Sequence, residues 1–501
     1  MKYLWEKRYL NIPKDETSDL PFTTEKMKYI QDVFCKSKDL IIRPFELNNY
    51  KYVAIFLEPL IDQEKLEKQL FLPLTLKGTI ETSNTCTMKY WDSSTDEQTI
   101  IENLLNGFTA LFIEEKQEVY FINTPASFDR STEEPANEKV VSGSHQGFIE
   151  NLHINLNLLR RSIENPNLYI DYLTLGKKTN SKVAITYMKG IANDSAIQEV
   201  MKRLNDACAD MIFNPGYLEE FIEDSTYSPF PQILKTERVD RVKANLIEGR
   251  IAIMAEGNPT ALIVPINFFA FYQSPDDYNT RPFIGSFIRI IRLISFWIAI
   301  TFPALYIAVI GFHFEVLPND LVLVVKGAVE NIPYPPLIEA LVMELTIELI
   351  REAGIRLPAP IGQTIGIVGG LVIGDAVVKA GLISNTMIVV VAITAIAAYV
   401  VPSDEMSSSI RLLRFPLMLA AASLGFLGIV FCLMFLFIHL CEIESFGTPY
   451  FAPIAPLHWK DLKDAIIRVP IWKMKKRPKA LQPKETTQID HPREWKEDER
   501  K

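Results

Sequence analysis

Apolar residues recur along the first half of the chain with the spacings of amphipathic helices and short strands. In residues 148–163 they fall three to four positions apart, on one helical face: Phe148, Leu152, Leu156, Leu159 and Ile163. Runs such as "LYIDYLTL" and "KVAITYM" have the length and β-branched content of strands. Before position 283 there is no apolar run of membrane-spanning length. The pattern predicts an α/β region that is soluble.

Two supersecondary units recur within this region. "VAIFLEPLIDQEKLEKQL" and "VAITYMKGIANDSAIQEVMKRL" each predict a strand, a turn and an amphipathic helix. "GFTALFIEEKQEVYFI" and "GRIAIMAEGNPTALIVPI" each predict a hairpin led by glycine. We interpret them as two subdomains of similar plan, residues 36–124 and 148–275, with chance similarity of common units as the alternative. A linker rich in Ser, Pro, Gly and charge joins them over residues 125–147, and residues 1–35 are expected to be mobile.

After position 283 the apolar runs become long enough to cross a bilayer. Residues 293–312 contain no charge over 20 positions, which matches the thickness of the hydrocarbon core. Further apolar runs cover residues 386–401 and residues 415–438. These runs predict an α-helical integral membrane domain over residues 284–457.

Basic residues flank the membrane domain and orient it. Three arginines precede the first run: Arg281, Arg289 and Arg292. The tail, residues 458–501, contains the basic stretch "WKMKKRPKA". By the positive-inside rule both ends face the cytoplasm, so the number of crossings is even, four or more. Three runs leave one crossing to find, although four simple crossings would place Arg411 and Arg414 outside.

The glycine-rich stretch "GQTIGIVGGLVIGDAVVKAG", residues 362–381, is the candidate for that crossing. Its glycines recur every four positions and would form one smooth stripe for close helix packing: Gly362, Gly366, Gly370 and Gly374. Asp375 and Lys379 lie four apart and would share a helix face beside the stripe. Two interpretations stay open for this pair. It borders an ion pathway, or it lies near the end of the span with Lys379 extending to the interface.

A second charged stretch, residues 335–353, has an apolar helical face and acids at Glu344 and Glu348. It could lie on the membrane surface, line a watery cavity that forms part of an ion pathway, or expose these acids as a solvated face. Further on, "ESFGTPYFAP" predicts a turn that fixes the last helix, with Tyr450 and Trp459 as interfacial anchors.

Composition excludes several classes of function. The net charge of -9 gives no support for a nucleic-acid partner. The five cysteines form no C-x-x-C pair, and the histidines do not lie at ligand spacing near them, so no metal site is predicted. The first residues lack the apolar core of a signal peptide, which favours a cytoplasmic N-terminal region. We find no catalytic constellation and no cofactor motif, so an enzyme is not predicted.

Several long motifs occur in the order typical of one family. They are "GFIENLHINLNLLRRSI", "YSPFPQILKTERVD", "INFFAFYQSPDDY", "LIREAGIRLPAPIGQTIGIVGGLVIGDAVVKAGLIS" and "ESFGTPYFAP". Over residues 140–457 the chain resembles the A subunits of GerA-type spore-germination receptors. It departs from them upstream, where "VSGSH" stands in place of an Arg-Gly-Pro step.

The resemblance implies a location and partners that spacing cannot show. It implies an integral protein of the spore inner membrane, in contact with lipid, that acts with a transporter-like B subunit and a lipoprotein C subunit. The B subunit would hold the nutrient. The A subunit would form a homo-oligomer around a cation-conducting pore that opens early in germination. The alternative is a scaffold or signalling subunit that does not conduct ions; a membrane enzyme is a remote third.

Overall fold

The structure is a computed structural model of the chain. It describes residues 24–47, 50–72, 92–113, 118–126, 135, 138–207, 210, 215–330, 332–357, 376–377 and 379–490. Most of the predicted mobile segment, the glycine stripe and Asp375 lie outside the described residues.

The first part of the chain forms a five-stranded antiparallel sheet with helices. Its elements in chain order are α1 (Thr24–Val33), β1 (Leu40–Leu47), β2 (Tyr50–Leu57), α2 (Gln63–Leu66, continued by a π-helical turn, Glu67–Phe71), β3 (Asp92–Ser94), α3 (Glu97–Leu105), β4 (Thr109–Ile113) and β5 (Val119–Ile122). The strands lie in the order β1-β2-β4-β5-β3. Two helices begin at aspartate caps: Asp62 accepts from the Lys65 amide, and Asp96 accepts from the Thr99 amide at 3.0 Å.

The second part repeats this plan. Its elements are α4 (Leu152–Ser162), β6 (Leu168–Leu175), β7 (Ser181–Met188), α5 (Asp194–Asp206), α6 (Pro215–Ile222), β8 (Leu234–Thr236), α7 (Val239–Glu248), β9 (Ile251–Ala255) and β10 (Ala261–Val264). The strand order β6-β7-β9-β10-β8 is that of the first sheet, and the paired sequence units fall on equivalent strands. Asn193 caps α5, and Gly249 ends α7 with a φ of 103°.

Each sheet is covered by helices on both faces, which explains why its central strands are apolar throughout. In β2, Val53 and Ile55 pack in one core cluster with residues of α1 and α3, whereas Tyr52 and Ala54 pack in another with residues of α2. Alternate residues of a strand point to opposite faces, so both sets are buried. All five residues of β4 and all five of β9 are buried.

A buried ion pair joins the two sheets. The guanidinium of Arg160 on α4 donates to both oxygens of Asp39, at 2.8 and 2.9 Å, and neither side chain is exposed. Asn157 of α4 adds a bond from its amide to the Pro59 carbonyl at 2.6 Å. A bidentate charge-assisted contact has a fixed geometry, so it holds the two subdomains in one relative orientation.

The second half of the chain is helical. It contains α8 (Pro275–Asn279), α9 (Pro282–Phe312), α10 (Asn319–Glu330), α11 (Pro336–Arg356), α12 (Asn385–Tyr399), α13 (Asp404–Leu424) and α14 (Phe426–Glu442). Among the described helices, α9 is long and apolar enough to cross a membrane, and α12 and α14 are shorter apolar helices. The architecture is therefore an α/β region followed by a helical region.

Contacts at the helix ends define their directions. His313, directly after α9, stacks on Phe426 at the start of α14, with ring centroids 4.7 Å apart. At the end of α14, His439 hydrogen-bonds to Ser228 of the α/β region at 2.9 Å. α9 thus leads away from the α/β region, and α14 leads back to it.

The helices between them follow the same alternation. The Tyr306 hydroxyl, late in α9, hydrogen-bonds to Thr386 at the start of α12 at 2.8 Å. Glu405, at the start of α13, pairs with Lys235 of β8 at 2.5 Å. α12 therefore begins at the far end of the helical region and α13 at the end near the α/β region. Since α9 leads away from the α/β region and α14 leads back, the chain before α9 and the chain after α14 lie at the same end.

The prediction of one span over residues 415–438 is wrong. A helix begins earlier, after the cap Ser403, and is broken at Gly425, which has φ 61° and ψ -138°. The chain turns back there, and Gly428 packs so closely on the Ala420 carbonyl that a Cβ would lie 2.0 Å from its oxygen. A side chain is excluded at both glycines, because one needs a positive φ and the other lacks space. The apolar run is therefore a helical hairpin.

After α14 the chain returns to the second subdomain. It forms a small hairpin, β11 (Glu444–Ser445) and β12 (Thr448–Pro449), and a short helix, α15 (Leu462–Ala465). The Ser445 hydroxyl donates to the Gln232 carbonyl at 3.0 Å, and Arg477 donates to the Ile247 carbonyl at 2.8 Å. Ser445 and Arg477 thus hold the tail against the α/β region by hydrogen bonds.

Candidate functional site

A fully buried ion pair lies between two helices of the helical region. Glu344 projects from α11 and Arg414 from α13, with 2.6 Å between the guanidinium nitrogen and the carboxylate oxygen. The two side chains are 0% and 2% exposed, respectively. A single charge in such surroundings carries a large desolvation penalty, so each of these groups depends on the other.

A second pair continues the contact along the same two helices. Glu348 lies one turn after Glu344 and contacts Arg411 at 3.3 Å, and it also pairs with Arg351 at 2.6 Å. The later acid of α11 pairs with the earlier arginine of α13, so the two helices run antiparallel here. The contact between α11 and α13 is therefore a double row of opposite charges.

The start of α11 adds a third buried carboxylate. Glu339 is 1% exposed, and one of its oxygens accepts from the Ser384 amide at 2.9 Å. Ser384 is the N-cap of α12, so this carboxylate lies at the positive end of a helix dipole. The inward acids of α11 are thus held by partners on α12 and α13, and they do not form a solvated face.

The structure brings together some of the predicted site residues. Glu344 and Glu348 meet Arg411 and Arg414, which the sequence marked only as a difficulty for a four-crossing topology. Two arginines three apart in an apolar helix are a signal for such pairs, but the sequence does not identify their partners. Lys379 is exposed. The residues predicted beside it, Asp375 and the four glycines, lie outside the described residues.

A second ion cluster joins the α/β region, α9 and the tail. Asp277 of α8 is 1% exposed and accepts from Arg289 at 3.2 Å and from Arg292 at 2.8 Å. Arg289 also contacts the carboxylate of Asp464 in α15 at 3.1 Å. Two of the arginines from which the sequence predicts the orientation therefore fix the base of α9.

Burial perturbs the acids and phenols around this cluster. It raises the pKa of Asp464, against the opposing attraction of Arg289. Burial and the neighbouring Asp464 carboxylate raise the pKa of Tyr278, whose hydroxyl donates to that carboxylate at 3.0 Å. The cluster is thus a desolvated network at the junction.

A third cluster connects β8 to the start of α13. Lys235 pairs with Glu405 and with Glu219 of α6. Burial, followed by the nearby charge of Glu405, raises the pKa of Glu219 from 4.5 to about 7, although Lys235 lowers it; Glu223 adds a smaller repulsion. Two carboxylates thus share one ammonium group at the contact between the α/β and helical regions.

We expect this cluster to make stability depend on pH near neutrality. The folded state binds the Glu219 proton more tightly than the unfolded chain does, so the stability that protonation contributes is full below pH 4.5 and is lost as pH rises through about 7. Melting of the purified full chain between pH 4 and pH 8 tests this. Glu219→Gln should flatten the decline, whereas the exposed neighbour Glu220→Gln should not. Equal slopes for both variants would contradict the assignment.

The two predicted interfacial anchors differ in their surroundings. Tyr450 is wholly buried, and its hydroxyl donates to the Pro231 carbonyl at 2.7 Å, so the prediction that it lies at a lipid interface is wrong. A tyrosine can be buried when its hydroxyl has a hydrogen-bond acceptor, and here the acceptor is the Pro231 carbonyl, just before β8. Trp459 is 76% exposed, and its role as an anchor stays a prediction.

The fold and its buried clusters define a class of protein: a duplicated α/β region coupled by ion pairs to a helical region with internal charges. The sequence profile of the Bacillus/Clostridium GerA spore germination proteins matches residues 28–480. The chain belongs to this family, which confirms the identification made from its motifs.

Individual relatives agree with this assignment. Spore germination protein A1 of Bacillus subtilis strain 168 is 38% identical over 475 residues, which cover 91% of this chain and 97% of that protein. Spore germination protein KA of the same strain is 37% identical over 462 residues, with 89% and 84% covered. Spore germination protein B1 is 44% identical over 363 residues, with 72% and 75% covered.

Among solved structures, one similar chain is the N-terminal domain of the A subunit of the Bacillus megaterium spore germinant receptor GerK3. It is 28% identical and covers 48% of this chain and 94% of its own length, with a TM-score of 0.37.

Proposed function

We propose that this chain is the A subunit of a nutrient-responsive germinant receptor in the spore inner membrane, and that its helical region, as a homo-oligomer, conducts cations. Its partners would be a transporter-like subunit that holds the nutrient and a lipoprotein subunit. The observation that carries the proposal is the double row of ion pairs between α11 and α13.

Internal charges favour a conducting role because they are costly in a helical region that only anchors a domain. While Glu344 and Glu348 are paired with arginines, they cannot bind cations. If α11 moves away from α13, the carboxylates lose these partners and become available to a hydrated cation. A row of this kind can switch between a neutral contact and an acidic lining.

The position of the row supports the coupling that a receptor needs. α13 carries Arg411 and Arg414 in its middle, and its first turn carries Glu405, which pairs with Lys235 of the α/β region. A displacement of β8 would therefore be transmitted along one helix to the charged contact. The glycine stripe and the Asp375/Lys379 pair remain proposals for helix packing and for the border of the same pathway.

Potassium flux in liposomes tests the conducting role. The purified chain, alone and with its partner subunits, should conduct in at least one assembly. Glu348→Gln should change the flux severalfold, because it removes a charge from the row. The matched control is Glu352→Gln, one turn further along α11, where the acid pairs at the surface with Arg356 and should not affect flux.

The alternative is a scaffold or signalling subunit that transmits the nutrient signal while another subunit conducts. That alternative predicts no flux for this chain in any assembly that lacks the conducting partner, together with loss of the nutrient response when the chain is deleted. Absence of flux from every assembly that contains this chain would contradict the conducting role.

A further inference from the structure

A cavity of about 480 Å³ lies between the second subdomain and the tail. Its walls come from α7, from the segment around α8, and from tail residues between 453 and 488. Apolar side chains line much of it, including Ile247, Phe269, Ile471 and Met474. A volume of several hundred Å³ with apolar walls and a few polar groups is typical of small-molecule sites.

Basic side chains without partners line the same cavity. Lys243, Lys460 and Lys476 make no side-chain hydrogen bond or ion pair with any residue that the structure describes. Arg250 is 5% exposed, and its Nε has no hydrogen-bond acceptor among the described residues. Arg250 thereby adds a buried guanidinium to the wall of the cavity.

The acids of the cavity do not cancel these charges, because three of the four already have a basic partner. Asp240 pairs with Arg238 at 2.7 Å, Glu248 with Arg250 at 2.9 Å and Asp464 with Arg289 at 3.1 Å, and Asp461 accepts from the Lys479 amide at 3.0 Å. A backbone amide does not neutralise Asp461, but the three lysines outnumber that one carboxylate, so the cavity keeps an excess of positive charge beside an apolar wall.

We propose that this cavity binds a small organic anion, with an apolar body against Phe269 and Met474 and a carboxylate or phosphate group near the lysines. Charge complementarity supports an anion, and the apolar walls support an organic one. The proposal does not depend on whether the chain conducts ions.

The position of the cavity implies a regulatory ligand. Asp464 lines the cavity and also contacts Arg289 at the base of α9. Tyr278, whose hydroxyl binds Asp464, lines the cavity as well. A ligand that prefers one arrangement of these side chains would shift the junction toward that arrangement, by as much as its affinity differs between the two.

Ligand-observed ¹⁹F NMR on the full chain in detergent tests the proposal. The probes are 4-fluorobenzoate, 4-fluorophenyl phosphate and the neutral 4-fluorobenzamide. We expect at least one anion to bind about tenfold more tightly than the amide, and the anion that binds identifies the acidic group. The Lys243→Met/Lys476→Met double variant should weaken that binding about tenfold. Lys202→Met, an exposed lysine on α5, is the matched control.

A second variant tests the location. Ala244→Trp places a large side chain in the cavity from the exposed side of α7 and should abolish binding while the melting temperature stays within a few degrees. The proposal is overturned if neither anion binds, if the amide binds as tightly as the anions, or if binding survives both Ala244→Trp and the double lysine substitution.

Discussion

Replacing Asp277 by alanine will destabilise the full chain by about 3–5 kcal/mol, because it leaves buried arginines without their shared carboxylate. Arg292 would lose its carboxylate partner, and Arg289 would keep only Asp464. The lost carboxylate also completes the capping box of α8 with Ser274, which adds to the loss. Thermal melting of the purified protein in detergent should show a fall of several degrees.

The adjacent acid provides the control. Asp276 lies on the same short helix, but among the described residues its side chain accepts only from the Val141 and Ser142 amides, at 3.2 and 3.3 Å, near the surface. Asp276→Ala should cost about 1 kcal/mol. If the two alanine variants have the same melting temperature, Asp277 does not stabilise the junction and the cluster is incidental.

Replacing Arg414 by methionine will have an effect of similar size in the helical region. Glu344 would remain buried without a counter-charge, at a cost of about 3–5 kcal/mol. Within the proposed function, the released carboxylate should also let potassium leak from dormant spores before nutrient is added. Melting of the purified chain and potassium release from spores measure the two effects separately.

A double variant distinguishes a charge effect from a packing effect. Glu344→Gln combined with Arg414→Met removes both charges and should be milder than Arg414→Met alone. Arg351→Met, which removes a partly exposed partner of Glu348, should cost less than about 1 kcal/mol. A double variant as unstable as the single would show that side-chain volume, not charge, matters at this contact.

Local patterns were enough to predict the α/β region. The repeated units predicted two subdomains of similar plan because a strand buried on both faces must be apolar and because its neighbouring helix must be amphipathic. Asn193 and Gly249 were predictable for the same reason: capping is decided by the nearest few residues. The buried pair of Arg160 with Asp39 was not, since its members are more than a hundred positions apart.

The helical region was less predictable because hydropathy does not report backbone conformation. Residues 415–438 are apolar throughout, and nothing in that average shows that Gly425 reverses the chain. Hydropathy also marks Arg414 as an anomaly without showing that Glu344 neutralises it. Tyr450 misled for a related reason: an aromatic residue after an apolar helix suits both a lipid interface and a protein core, and only the Pro231 carbonyl decides between them.

The two carboxylate partners of Arg289 are synthesised at different times. Asp277 is made just before Arg289, whereas Asp464 leaves the ribosome only after every described helix of the helical region has been translated. Early in synthesis Arg289 can reach one of its two carboxylates, and the other arrives with the tail. A chain that stops short of Asp464 contains all these helices but lacks the second carboxylate partner of Arg289 at the base of α9. The ion pair between Arg289 and Asp464 can therefore form only after the tail has been synthesised as far as Asp464.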